Sequence, residues 1–101
     1  MIYRLCVPAT IEDTDAVRVL EWHGSVGTEF PDGALIVELE THKALIEVRA
    51  AQLGILRRID CAEGDWAPLG SSLALLGDTI DQPLPTDDLP IPSLVADFMI
   101  G

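Results

Sequence analysis

The sequence predicts an all-β fold, a flattened β-barrel or sandwich made of two pseudo-symmetric antiparallel halves. Three observations carry that expectation. Apolar residues alternate at a period of two on both sides of a short polar break at 41–43, as paired, half-buried strands require. Glycine and proline fall so densely between 24 and 33 that no helix could survive there. Finally, Gly27, Pro31 and Gly33, followed by Ile36, Val37 and Leu39, recur as Gly64, Pro68 and Gly70, followed by Leu73, Ala74 and Leu76, at a constant offset of 37 residues. Glycine permits positive φ and proline fixes φ, so each copy reads as a sharp turn entering a core strand, and the two halves as facing one another.

In chain order, Tyr3 to Val7 is a β-prone run closed by Pro8, and residues 9–15 are acidic and polar, as a surface loop should be. Val17 and Val19 open a second strand, with Trp22 a candidate member. In the central hairpin Leu35, Val37 and Leu39 face one way and Ile36, Glu38 and Glu40 the other. After the break, Ala44, Ile46, Val48 and Ala50 oppose Leu45, Glu47 and Arg49. Thr41, His42 and Lys43 lack the Asn-Gly or Asp-Gly signal of a two-residue turn, which favours a slightly longer type I connection. Gly54 precedes a strand at Ile55 to Ile59, a turn spans Ala62 to Asp65, and a last strand runs from Ser72 to Leu76.

These elements make one domain over residues 1–79, large enough for a core without disulfides or metal. Residues 80–101 differ: Pro83, Pro85, Pro90 and Pro92 alternate with Asp81, Asp87 and Asp88 as in a linker, and an apolar tail follows. Read at helical spacing, Leu94, Val95, Phe98 and Met99 share one face, with Ser93 as N-cap. A partner's groove, the domain's own surface and a frayed end are all open to that segment.

The formal net charge of −11 repels phosphate backbones and anionic lipid alike, and no stretch approaches bilayer-spanning length, so neither nucleic acid nor membrane is an expected partner. Cys6 and Cys61 are too few for a disulfide framework, and no signal-peptide-like segment follows Met1, which points to a reducing cytoplasm. His23, His42, Cys6 and Cys61 show no zinc-site spacing, so no metal is expected. Ser71 and Ser72 lack the Gly-x-Ser-x-Gly context of a nucleophile, and Trp22 and Trp66 read as core or rim packing.

The cations are five arginines and a single lysine, Lys43, in the polar break. A catalytic lysine needs an apolar pocket or a second cation to free its amine near neutrality, whereas Glu40 and Glu47 flank this one. Lys43 therefore reads as a modification acceptor, although on the hairpin alone an ordinary exposed lysine is the plainer reading.

The surrounding residues give that lysine a context. Glu40-Thr41-His42-Lys43-Ala44 resembles the signature of the lipoyl domains in the biotinyl/lipoyl carrier family, usually Glu-Thr-Asp-Lys-Ala, and lacks the methionines that flank a biotinylated lysine. Val7-Pro8 and Val19-Leu20-Glu21-Trp22 resemble the family's opening strands, while Gly54-Ile55-Leu56 and 64–76 resemble its closing half; the resemblance covers about 2–78. His42 stands where the family usually has aspartate, and Thr28 replaces the aspartate of the first Gly-Asp turn. The resemblance implies a barrel-sandwich hybrid with lipoate in amide linkage to Lys43, and with Glu40, Thr41, His42 and Ala44 read around the attachment point. The domain would catalyse nothing itself. It would be part of, or a partner to, a dihydrolipoamide acyltransferase. Its arm would shuttle acyl groups and reducing equivalents among a 2-oxo acid decarboxylase, that acyltransferase and the flavoprotein dihydrolipoamide dehydrogenase, after loading by a lipoylating ligase or transferase. The alternatives are a biotin carrier of a carboxylase and an unmodified docking module of the same fold.

Overall fold

A computed structural model describes residues 1–86 and 89–101; Asp87 and Asp88, counted in the linker above, lie outside the described residues. The strands are β1 (Ile2–Cys6), β2 (Ala16–Trp22), β3 (Glu29–Phe30), β4 (Leu35–Glu40), β5 (Leu45–Ala50), β6 (Gly54–Ile59), β7 (Trp66–Pro68), β8 (Ser72–Gly77) and β9 (Ala96–Ile100). They form a four-stranded sheet ordered β1-β8-β6-β3 and a five-stranded sheet ordered β7-β2-β4-β5-β9, and every strand pair is antiparallel. No helix occurs among the described residues.

The 37-residue repeat is visible at three levels. β4 and β8 superimpose in number, since adding the offset to 35–40 gives 72–77. Gly27, Gly33, Gly64 and Gly70, the four repeat glycines, are the described glycines with positive φ, at 100°, 91°, 88° and 80°. Register shifts recur as well: Val19/Glu21 in β2 matches Leu56/Arg58 in β6, and the shift at Leu35/Val37 matches the one facing Ser72 and Ala74. The halves are interleaved rather than stacked as two layers, because each sheet takes strands from both.

These bulges correct the simple alternation read from the sequence. Strict alternation puts Ile36 on the face of Glu38 and Glu40, yet it is fully buried together with Val37, because the bulge turns both neighbours inward. Leu73 is the equivalent residue and is buried in the same way. The bulge in β2 likewise lets Val19 and Trp22, three residues apart, both face the core. Trp22 donates its indole N–H to the Cys61 carbonyl at 2.9 Å, so its one polar atom is satisfied inside.

The other sequence-based strands stand within a residue or two of their expected bounds, whereas β3 and β7, only two and three residues long, were hidden inside the glycine-proline turns. The tail departs further from expectation. Ala96–Ile100 is not helical but pairs with β5 from Ile46↔Ile100 to Ala50↔Ala96. The backbone explains why: β5 would otherwise be an exposed sheet edge, and an extended chain satisfies its free N–H and C=O groups as a lone helical turn could not. The opposite outer edge, β1, is met by the same segment. Arg4 N–H donates to the Pro92 carbonyl at 2.8 Å and Leu94 N–H to the Arg4 carbonyl at 2.9 Å, and Leu94 is buried in the core. The C-terminal segment thus covers one edge of each sheet.

Candidate functional site

The turn between β4 and β5 joins the two repeats and carries Lys43. Thr41 N–H donates to the Ala44 carbonyl at 2.9 Å, while the Thr41 hydroxyl oxygen accepts from the N–H groups of Lys43 at 3.2 Å and Ala44 at 3.1 Å. One side chain thereby ties down the tip from within. Neither His42 nor Lys43 has positive φ, so the hairpin is not one of the primed two-residue turns, in keeping with a type I connection. The Lys43 side chain is 72% exposed.

The amine's partner was missed by sequence reading. Glu40 and Glu47, expected to flank it electrostatically, are engaged by Arg18 and Arg49, each at 3.2 Å. Lys43 Nζ instead meets Asp13 Oδ2 at 3.2 Å, across from the loop between β1 and β2. Asp13 holds φ at 55°, the one described non-glycine residue in the left-handed region, in a tight turn where Thr14 N–H donates to the Ile11 carbonyl. Aspartate tolerates that conformation better than most residues. Nothing in the acidic run at 12–15 marks Asp13 out, because its role depends on a loop conformation thirty residues from the lysine.

His42 faces sideways. Its ring lies 6.0 Å from that of Trp66, centroid to centroid, with the planes tilted by 36°. Trp66 belongs to β7 and is 53% exposed, so it is rim rather than core. Between the β1–β2 loop and the hairpin a cleft of about 350 Å³ opens, lined by Ile11, Asp13, Thr41, Lys43, Ile46 and Ile100 among others. Ala44 also lines it, so of the residues expected around the attachment point Thr41 and Ala44 border the cleft, while Glu40 and His42 sit on its flanks.

The remaining candidates are placed apart from one another. Burial pushes the thiols of both free cysteines, Cys6 and Cys61, above their ordinary value, which suits packing rather than nucleophilic work. His23 lies by its Nε2 2.6 Å from Glu38 Oε1, and Glu21 sits opposite Glu38 across the β2–β4 pair. These three side chains offer donor atoms within 4.8 Å of one another, a grouping that linear spacing could not show because it is built across strands. Thr28 keeps the backbone pattern of the second turn without an aspartate. Gly27 N–H donates to the Leu56 carbonyl and Leu56 N–H to the Thr28 carbonyl, as Gly64 N–H does to Val19 and Val19 N–H to Asp65.

The amine is exposed, fixed at its base and held at its end by a single solvent-exposed ion pair worth little, so forming an amide there demands almost no rearrangement. Fold and hairpin together make a small two-sheet domain with an exposed lysine at the tip of its central hairpin. The biotin/lipoyl family model, described as biotin-requiring enzyme, matches residues 4–76, and the chain belongs to that family.

The chain is also similar to acyltransferase components of 2-oxo acid dehydrogenase complexes. It is 35% identical over 72 residues to the dihydrolipoyllysine-residue succinyltransferase component of the 2-oxoglutarate dehydrogenase complex of Staphylococcus saprophyticus, covering 71% of this chain and 17% of that protein. With the component of the same name from Haemophilus influenzae it shares 33% over 98 residues, 92% of this chain and 24% of the relative. With the chloroplastic acetyltransferase component 5 of the pyruvate dehydrogenase complex of Arabidopsis thaliana it shares 32% over 81 residues, 80% of this chain and 17% of the relative. The chain thus spans less than a quarter of the length of these relatives.

Proposed function

We propose that this chain is a lipoyl carrier domain whose acceptor is Lys43, serving a 2-oxo acid dehydrogenase-type complex. The observation that supports it most is the pairing of uniqueness with position: the sole lysine of the sequence stands exposed at the tip of the hairpin between the two repeats. Lipoate is favoured over biotin by Glu40-Thr41-His42-Lys43-Ala44, which lacks methionine on either side of the lysine, and by the names of the relatives. A biotin carrier, or an unmodified docking module, is what remains if that preference is wrong.

When bound, lipoate supplies a dithiolane able to carry an acyl group and a pair of electrons. The chain's own part is mechanical. Thr41 stiffens the tip, β4 and β5 hold it clear of the sandwich, and Asp13 pairs with the free amine from the β1–β2 loop. Amide formation removes the lysine's charge and releases Asp13. Tethering then replaces diffusion by a high effective concentration at successive active sites. Those sites would be a decarboxylase, an acyltransferase and a flavoprotein dehydrogenase, with a lipoylating ligase or transferase as the loading partner. A cytoplasmic setting suits the two unpaired cysteines.

The test is incubation with a lipoate ligase, ATP and lipoate, and separately with a biotin ligase, ATP and biotin, followed by peptide mapping. A lipoyl adduct on Lys43 that is absent from Lys43→Arg is expected. Biotin on Lys43 without lipoate would turn the reading to the carboxylase carrier, and no adduct from either would leave the docking module.

A further inference from the structure

We propose that the cleft beside Lys43 is a resting site for the aliphatic arm attached to that lysine, with Ile100 of β9 as its outer wall. This rests on Lys43 as acceptor and adds where the arm lies between encounters.

β9 presents Ala96, Phe98 and Ile100 on its core-facing side, in register with Ala50, Val48 and Ile46 of β5. Ala96 and Phe98 are half-buried and pack against the core. Ile100, in the same row, is 63% exposed and stands at the end of the strand nearest the lysine hairpin. Beside it Ile46 is buried, and Ile11 reaches in from the opposite loop as a partly buried neighbour of the core. The resulting cleft of about 350 Å³ combines the apolar side chains of Ile11, Ala44, Ile46 and Ile100 with polar ones from 12–14 and Thr41, and carries the acceptor lysine on its lip; that size falls in the roughly 300–1,000 Å³ range of small-molecule clefts.

Symmetry makes the placement informative. β1 to β4 have counterparts in β5 to β8, but β9 has none, and it adds its apolar wall to the half-sandwich edge beside Lys43. The other outer edge receives only the short stretch around Ser93, paired with Arg4. Charge completes the argument. In the unmodified chain the Lys43–Asp13 ion pair spans the cleft's rim. Once the amine is an amide that pair is lost, Asp13 is solvated, and the methylene chain that replaces the cation has an apolar surface within reach of its first carbons. The occupant suits the cleft because it begins at the cleft's own edge and, beyond its amide, is hydrocarbon up to its sulfur ring.

The experiment installs the arm chemically, from an activated ester of isotopically labelled lipoate, and purifies the full chain acylated at its sole lysine from any product at the Met1 amine. It therefore does not depend on a ligase accepting the domain, and a ligase failure would count only against the acceptor reading. Nuclear Overhauser contacts from the arm's methylenes to the methyl groups of Ile11, Ile46 and Ile100 are expected. Reduction of the dithiolane by a water-soluble phosphine should run at least threefold slower than in free lipoamide. Ile100→Asp, at an exposed position, should abolish the contacts and restore the lipoamide rate. An arm with no contacts to these methyls and a reduction rate equal to that of lipoamide in the parent chain would overturn the proposal, whatever the variant does.

Discussion

At the scale of single residues, the hairpin tip is a small number of hydrogen bonds around one amine. Lys43→Arg keeps the charge and the Asp13 pairing, so folding stability should stay within about 0.5 kcal/mol of the parent while all acylation is lost, as thermal melts and peptide mapping would show. Thr41 matters differently, because its hydroxyl accepts two backbone N–H groups. Thr41→Val should cost on the order of 1 kcal/mol and loosen the tip, seen as faster amide exchange at Lys43 and Ala44. His42 stands beside the lysine in the turn, and its ring lies toward that of Trp66. His42→Asp should change the rate at which a given ligase modifies Lys43; equal rates across several ligases would reduce His42 to a turn residue. The turn that carries Thr41, Lys43 and Ala44 was legible in the sequence from the alternating runs on either side of it. Asp13 was not, since an ion pair between a loop and a hairpin thirty residues apart depends on a backbone conformation that no local pattern specifies.

At the scale of elements, the period-two pattern was enough to find the long strands, and it failed where bulges alter the period. Ile36 and Leu73 are buried beside inward-facing neighbours because each sits in a register shift, which polarity alone does not reveal. The tail was misread for a related reason. Over five residues apolar spacing cannot separate a helix from a strand, and the decision was made by the open edge of β5, a tertiary feature. Leu94, buried between the two edge contacts, is the residue to probe: Leu94→Ala should cost about 2–5 kcal/mol, measured by urea titration, and ending the chain after Thr79 should lower the melting temperature sharply by exposing β1 and β5 together. A polar group ties the other end of the four-stranded sheet. Burial alone would raise the Asp60 carboxyl, but hydrogen bonds from Arg58 and Ser72, with the charges of Arg58 and Arg4, outweigh it and hold it below the usual carboxylate range. With the folded value below the unfolded one, its stabilisation is complete above the ordinary carboxylate pKa and is lost as pH falls through the folded value. Asp60→Asn should therefore destabilise by about 1 kcal/mol at neutral pH, with the gap from the parent closing in acid.

At the scale of the whole molecule, a repeat too divergent to be obvious by identity builds two interleaved halves whose glycines, bulges and turn hydrogen bonds coincide. That symmetry was readable from three glycine-proline matches and the hydrophobic pattern behind them, because positive-φ turns constrain residue type more tightly than strands do. What breaks the symmetry is chemically pointed: Lys43 on one connection and β9 along the neighbouring edge. The strongly acidic surface leaves that one lysine as the sole side-chain amine of the sequence, so a modifying enzyme has one place to act. The most direct test is the intact mass of the full chain produced in a host supplied with lipoate and, in parallel, with biotin, followed by mapping of the modified peptide. A single lipoyl increment on the peptide containing Lys43, absent from Lys43→Arg, is the predicted result; a biotin increment, or an unchanged mass under both conditions, would contradict it.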